Sequence, residues 1–179
     1  MIKKLFSTML LAAVLVMGMS SCGSEDKEQQ RVCKEISEAM TAQKFDKVTE
    51  LCGSLYERLP ECSVKTLGDL TMSYITLSAV GIANSNEDQV VDCMRHAVDC
   101  YDEAMKKDPN AAKKLWDEMA SKKNEQGLSI NPTEIVEIFR QQLSAYDAAT
   151  AAADSIQPSA ESELASETAL EVTEAVSQD

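Results

Sequence analysis

The chain has 179 residues and a formal net charge of −13 at neutral pH. This excess of negative charge repels the phosphates of nucleic acids, and the eight aromatic residues provide few rings for base stacking. We therefore expect no nucleic-acid binding. Only six glycines and four prolines are present, while helix-forming residues are abundant, which predicts a single all-α domain.

The first 21 residues have the layout of an export signal. Lys3 and Lys4 precede an apolar run from Leu5 to Met19. A positively charged start followed by a short apolar stretch is typical of secretory signals. A membrane-spanning helix needs about 20 apolar residues, and this run is shorter. An uncleaved membrane anchor is the alternative interpretation.

The export signal ends in the run Met-Ser-Ser-Cys-Gly, from Met19 to Gly23. Small residues before a cysteine at this point resemble the lipobox of bacterial lipoproteins, although Met19 stands where that family usually has leucine. The resemblance implies that Cys22 is lipidated and that residues 1–21 are removed. Because Lys3 and Lys4 leave with them, the mature chain would carry a charge of −15. Several acyl chains, at about 0.8 kcal/mol per buried methylene, would hold it on a membrane.

Residues 22–30 are predicted to form an acidic linker behind the lipidated cysteine. Glu25, Asp26 and Glu28 lie in this stretch. An acidic cluster at this place resembles the surface-export signal of some Gram-negative lipoproteins, and an ordinary solvated linker is the alternative. We therefore expect an extracytoplasmic protein on the outer membrane of a Gram-negative bacterium, on either its periplasmic or its external side.

Apolar periodicity and helix-end signals predict about six helices, which make up a helical domain over residues 31–153. Their approximate ranges are 25–42, 45–59, 64–83, 87–107, 109–124 and 131–153. Asn86 and Asp108 are favourable N-caps, and Pro109 suits the first turn of a helix. The third helix has no charged residue from Leu70 through Ser85. This favours a central buried helix, and the wall of a groove for an apolar ligand is the alternative.

The last helix and the C-terminal segment differ in composition. The residues of the sixth helix predicted to face the core are Ile135, Ile138, Phe139, Leu143 and Tyr146. Residues 154–179 contain seven acidic residues and no basic one. Low hydrophobicity with unbalanced charge predicts a disordered acidic tail. A weak helix that docks on a partner is the alternative.

The second and fourth helices share a pattern at an offset of 49 residues. The corresponding positions are Val48 and Ala97, Cys52 and Tyr101, Leu55 and Ala104, and Pro60 and Pro109. A small residue, an aromatic, another small residue and a proline at this spacing resemble the second helix of a tetratricopeptide repeat. The offset exceeds that family's period of about 34 residues, and Cys52 replaces an aromatic. The resemblance implies stacked helical hairpins whose concave face binds a protein or peptide; a plain helical bundle is the alternative.

Five cysteines follow Cys22. Because this number is odd, at least one of them is a free thiol or forms a disulfide with another chain. Cysteines on apolar helical faces are often small core residues, whereas an extracytoplasmic location permits disulfides. A hairpin that turns near Gln43 and Lys44 would bring Cys33 opposite Cys52. These two cysteines are a candidate disulfide, which would close a loop of about 20 residues.

No residue pattern indicates catalysis or a cofactor. His96 is the only histidine, and Asp92 and Asp99 on the polar side of the fourth helix predict that it is exposed. Cys93 and Cys100 are seven residues apart, about 10.5 Å along a helix, which is too far for one zinc ion. No nucleophile elbow, phosphate loop or dinucleotide fingerprint is present. We expect no catalytic residues, no metal ligands and no cofactor.

These features together predict a lipid-anchored, extracytoplasmic helical module that is not an enzyme. Its expected partners are the membrane, through the anchor at Cys22, and an unidentified protein or peptide. A carrier of an apolar small molecule, with the third helix as the wall of its pocket, is the alternative.

Overall fold

The computed structural model describes residues 24–122 and 129–154 of the chain. Within these ranges it contains one 3-10 helix at Leu59–Glu61, no strand, and six α-helices, which confirms the predicted all-α fold class. The α-helices are α1 (Ser24–Thr41), α2 (Phe45–Tyr56), α3 (Val64–Asn84), α4 (Glu87–Lys107), α5 (Pro109–Ser121) and α6 (Pro132–Asp154). None of these six helices is long and apolar enough to cross a membrane.

The predicted leader (residues 1–21), the lipidation site Cys22 and the predicted tail after Asp154 lie outside the described residues. Helix α1 begins at Ser24, so the first helix, predicted at about 25–42, overlaps the predicted acidic linker at 22–30. The segment that follows Gly23 holds helix-forming Glu, Lys and Gln with no further glycine or proline. Gln29 within it is buried.

The described chain divides into two compact units, one ending at Leu143 and the other beginning at Ser144. The described part of the second unit is the last stretch of α6, through Asp154. Its side chains are exposed as far as they are described, and Thr150 Oγ1 donates a hydrogen bond to the backbone oxygen of Tyr146 at 3.0 Å. The rest of the described structure belongs to the first unit.

The α1–α2 and α3–α4 connections are tight turns with one left-handed residue each. Gln43 has φ of 55° and Ser85 has φ of 57°. At the second turn, Asn86 Oδ1 accepts a hydrogen bond from Gln89 N at 3.2 Å, which satisfies one of the free N–H groups at the start of α4. The predicted turn near residues 43–44 and the predicted cap at Asn86 are both confirmed.

The α4–α5 connection is a single capping residue. Asp108 Oδ1 accepts hydrogen bonds from the backbone N–H groups of Asn110 and Ala111, at 3.1 and 3.0 Å. Pro109 occupies the first helical position, where the missing N–H costs nothing. The predicted cap at Asp108 is therefore confirmed.

Helix α3 is the centre of the first unit. All its residues from Thr66 to Gly81 are buried except the half-buried Thr76, and α3 packs against α1, α2, α4 and α5. This confirms the prediction of a central buried helix. Two glycines of α3 allow close approach of neighbouring helices: a Cβ on Gly68 would lie 2.5 Å from Leu115 Cδ2, and one on Gly81 would lie 2.8 Å from Val90 Cγ2.

Long polar side chains connect the ends of the helices in the first unit. Lys107 Nζ, at the end of α4, donates to the backbone oxygens of Pro60 and Cys62 at 2.8 and 2.7 Å. The guanidinium of Arg140 on α6 forms two hydrogen bonds with the carboxylate of Asp102 on α4. These contacts join the 3-10 helix to α4, and α4 to the first half of α6.

The predicted inward face of α6 is correct at some positions and wrong at others. Phe139 is buried, and Ile135 and Leu143 pack partly against the core. Ile138 is 50% exposed, whereas Val136 is 1% exposed. The two residues are about 200° apart on a helix, so the face that contains Val136 and Phe139 leaves Ile138 in solvent. Tyr146, in the second unit, is 43% exposed.

Candidate functional site

His96 packs against two tyrosine rings at the junction of α2, α3 and α4. Its ring centroid lies 4.0 Å from that of Tyr56 and 4.9 Å from that of Tyr74. The two tyrosine rings meet edge to face at 6.0 Å. The predicted exposed histidine is therefore wrong, because His96 is half-buried. The helical pattern of α4 placed it at the edge of the polar side, and α2 covers that edge with Tyr56.

The polar edge of this aromatic cluster is formed by Asp99. Tyr56 Oη donates a hydrogen bond to Asp99 Oδ2 at 2.6 Å. Burial is the main cause that raises the pKa of Tyr56, and the hydrogen bond to Asp99 raises it further. Burial lowers the pKa of His96 below 6.5, although Asp92 and Asp99 act in the opposite direction. The imidazole is therefore neutral at neutral pH.

The five cysteines beyond Cys22 are all buried free thiols: Cys33, Cys52, Cys62, Cys93 and Cys100. Burial raises the pKa of Cys52 to about 12 and that of Cys93 to about 11. Cys33 and Cys100 are raised further, also mainly by burial. Thiols with such pKa values stay protonated at neutral pH, whereas nucleophilic and metal-binding cysteines act as thiolates.

Cys33 and Cys52 are both free in the structure, and the disulfide between them stays a prediction for the exported protein. Both thiols lie against α3 at neighbouring turns. Cys33 lies near Asp69, and Cys52 lies near Ser73. The antiparallel hairpin thus places both cysteines against α3, next to different residues of that helix.

Asp69 is a buried acid that the sequence analysis missed. Its side chain is 7% exposed and lies 3.8 Å from Lys65 Nζ, measured to Oδ2. Burial raises the pKa of Asp69 to about 6, although Lys65 and the nearby Cys33 thiol both lower it. In the sequence, Asp69 stands directly before the uncharged stretch of α3 that begins at Leu70, and this position could have indicated that its carboxyl is buried.

The side chains around His96 are engaged in packing and hydrogen bonds with one another. The acid beside His96 is engaged by Tyr56, and the nearby thiols are protonated. In the two described ranges, no group of three His, Cys, Asp or Glu residues is placed so that it could hold a metal ion. Of the predicted site residues, Cys33 and Cys52 are brought to one face of α3, while Cys22 lies outside the described residues.

The surface over α5 carries a shallow, open depression lined by polar and charged side chains: Asn110, Lys113, Lys114, Asp117, Glu118 and Ser121. Lys113 and Asp117 form an ion pair at 2.8 Å, and Lys114 and Glu118 approach to 3.9 Å. These are i,i+4 pairs of a solvated helical face, which stabilise a helix by a few tenths of a kcal/mol each. The uncharged residues of α3 do not line this depression.

No family model, curated protein or solved structure matches this chain. The function is therefore inferred from the residues and their contacts.

Proposed function

We propose that the mature protein is a lipid-anchored extracytoplasmic module that binds a protein or peptide through its stacked helices. The anchor is the lipidated Cys22, and the binding body is the helical unit from α1 to the first half of α6. The proposed partners are the membrane, through the lipid, and a polypeptide, through the helices.

The proposal of an anchor rests on the sequence around Cys22. Two lysines, a short apolar run and small residues before a cysteine occur in the order that lipoprotein signals require. The mature chain is strongly acidic, so it has no means of holding an anionic membrane surface by charge. A covalent lipid supplies the attachment that the body itself lacks.

The proposal of a binding function rests on the packing of α3, and this single observation carries it. Helix α3 contacts both helices of the preceding hairpin, α1 and α2, as well as α4 and α5. Contact of each hairpin with the next is the arrangement that stacked helical repeats use to build an extended binding surface. The 49-residue pattern shared by α2 and α4 supports the same interpretation.

The surroundings of the titratable residues support binding in preference to catalysis. His96 contacts phenol rings, and the thiols are held in their protonated form by burial. General acid–base or nucleophilic catalysis needs an accessible group whose pKa lies near the working pH. A carrier for an apolar molecule is less well supported, because other helices bury the uncharged residues of α3 from Leu70 to Gly81, apart from the half-buried Thr76.

The anchor is tested by intact mass spectrometry of the protein purified from its own membranes. We expect a chain that begins at Cys22 and carries the added mass of acyl chains. The Cys22→Ser variant is expected to keep its leader and to lack the lipid. A native protein with an intact leader, or with an unmodified thiol at Cys22, would contradict the proposal.

The binding function is tested by affinity capture of the anchored protein with two matched variants of α6. Ile138→Glu and Gln141→Glu each place one added negative charge at an exposed position. We expect a defined polypeptide to be recovered with the unaltered protein and with Gln141→Glu, and to be lost with Ile138→Glu, which disturbs exposed apolar surface. Recovery of a bound lipid and no polypeptide in native mass spectrometry would support the carrier instead.

A further inference from the structure

We propose that one particular end of the helical body lies against the bilayer, namely the end that holds Gln29, Glu61 and Ser63. The opposite end, at the α3–α4 turn, would then point away from the membrane. This orientation rests on the proposed lipidation of Cys22, and it goes beyond that proposal by naming the surface that meets the lipid headgroups.

The tether between the lipid and the body is very short. Helix α1 begins at Ser24, two residues after Cys22. Two residues span at most about 7 Å between Cα atoms, even when they are fully extended. From Ser24 to Gln29 the helix advances about 7.5 Å, at 1.5 Å per residue. The Cα of Gln29 therefore lies within about 15 Å of the Cα that bears the lipid.

Helix α1 is attached firmly to the body at Gln29. Gln29 Oε1 accepts hydrogen bonds from Ser63 N and Thr66 Oγ1, both at 3.0 Å. Gln29 Nε2 donates to the backbone oxygen of Glu61 at 3.1 Å. Val32 and Cys33, on the next turn, are buried in the core. Because the tether is short and α1 is fixed to the body at Gln29, the end of the body that holds Gln29 must stay close to the lipid.

The direction of α3 shows which end is far from the lipid. Gln29 is hydrogen-bonded to Thr66, and one turn later Cys33 lies near Asp69, so α1 and α3 run in the same direction. Helix α3 has 21 residues, which corresponds to about 30 Å along its axis. Its C-terminal end at Asn84 therefore lies far from Gln29. The hydrogen bonds of Lys107 with Pro60 and Cys62 place the C-terminal end of α4 near the lipid.

Charge does not draw this end of the body to the membrane. The exposed side chains of Glu57, Arg58, Glu61 and Lys107 are two acids and two bases, and the stretch 25–28 next to the lipid adds three acids and one base. The orientation is therefore set by tether length, and we expect it on neutral lipid at both low and high salt. An electrostatic contact would weaken as salt screens it.

Energy transfer from a labelled cysteine to a headgroup-labelled lipid tests the orientation. A donor is placed at Glu61→Cys, near the lipid, or at Ala83→Cys, near the far end, in the full lipidated protein on phosphatidylcholine vesicles. Both positions are exposed. The protein without an added cysteine is the labelling control, because its five other described thiols are buried. We expect clearly stronger transfer at position 61. Equal transfer, or stronger transfer at position 83, overturns the inference.

A long linker provides the matched control. About 20 Gly and Ser residues inserted between Gly23 and Ser24 have a root-mean-square span of roughly 25 Å, so the difference between the two positions should largely disappear. A difference that survives the insertion overturns the role of the tether. Flotation with the vesicles is measured in the same samples. Failure of the native protein to float contradicts the proposed anchor itself, whereas flotation with equal transfer contradicts only the orientation.

Discussion

Gln29 and Thr66 share a buried hydrogen bond at 3.0 Å, although 37 residues separate them. The same oxygen of Gln29 accepts a second hydrogen bond from Ser63 N, and its nitrogen donates to the oxygen of Glu61. Gln29 is 8% exposed. One side-chain amide thus joins α1, the 3-10 helix and the start of α3, and it pairs with the partly buried backbone carbonyl of Glu61 and N–H of Ser63.

Gln29→Leu should reduce the free energy of unfolding by about 2–4 kcal/mol. It removes the partner of the buried Thr66 hydroxyl and of two partly buried backbone groups, and a buried polar group without a partner costs about 1–3 kcal/mol. Urea unfolding followed by circular dichroism measures the change. The control is Glu28→Leu at the neighbouring exposed position, where we expect a change within about 0.5 kcal/mol. Equal effects of the two substitutions would show that the amide is not a structural connection.

Three glycines should respond differently to alanine. A Cβ on Gly53 would meet nothing within 4 Å, whereas one on Gly81 would lie 2.8 Å from Val90 Cγ2 and 3.4 Å from the backbone oxygen of Asn86. Gly53→Ala should stabilise the protein by about 0.5–1 kcal/mol through helix propensity. Gly81→Ala should destabilise it by about 1–3 kcal/mol, because valine is stiff and the turn backbone is close.

The third glycine in this comparison is Gly68, where the alanine Cβ would meet Leu115 at 2.5 Å. Since the contact atom is at the end of a flexible side chain, Gly68→Ala should cost less than Gly81→Ala. Thermal unfolding of the three variants gives the order directly. Stabilisation by Gly81→Ala would contradict the close approach of α3 and α4.

Asp69 should make the stability depend on pH between about 4 and 6. Its pKa is raised from 3.8 to about 6 in the folded chain, so the folded state binds the proton more tightly than the unfolded state does. Its contribution to stability is therefore present at low pH and is lost as the pH rises through this window. Asp69→Asn should remove that loss, which is worth about 2–3 kcal/mol.

The measurement for Asp69 is urea unfolding of both proteins at pH 4 and pH 7.5. The variant should gain stability relative to the unaltered protein between these two values. Asp117→Asn on the exposed side of α5 is the control, and it should show no such gain. A constant difference between Asp69→Asn and the unaltered protein at both pH values would mean that the buried carboxyl does not titrate as proposed.

His96 should act in the opposite direction. Its pKa is lowered from 6.5 by burial, so the unfolded state binds the proton more tightly, and stability is lost as the pH falls below about 6.5. His96→Phe keeps a ring against Tyr56 and Tyr74 and should remove this loss. Because the chain has a single histidine, its proton NMR signal can be titrated without assignment. A midpoint at or above 6.5 would contradict the burial of the ring.

The buried thiols should be unreactive in the folded protein. In the Cys22→Ser protein, we expect Ellman's reagent to modify less than one thiol rapidly and all five after unfolding in guanidinium, because Cys33, Cys52, Cys62, Cys93 and Cys100 are buried and free. If the protein is purified without reductant, the same measurement also shows whether any of these cysteines form a disulfide. Three reactive thiols after unfolding would show that one disulfide forms in the exported protein, and peptide mapping would then show whether it joins Cys33 and Cys52.

The six helices could be predicted from the sequence because their signals are local. Scarce glycine and proline, apolar residues at helical spacing, and caps such as Asn86 and Asp108 act within one or two turns. The central position of α3 was also predictable, since a helix without charge from Leu70 onward cannot face solvent. The exposure of Ile138 could not be predicted, because periodicity defines the apolar side of a helix but not how much of that side a neighbouring helix covers.

The sequence by itself determined the all-α class, the positions of the helices and their turns, and the expectation of a lipid at Cys22, since each depends on residues close together in the chain. Only the tertiary structure decided the contacts made between helices: the rings around His96, the buried carboxyl of Asp69, and the amide of Gln29 beside Thr66. The physical reason is that burial and hydrogen bonding depend on which distant helix covers a side chain, and no local pattern specifies that neighbour.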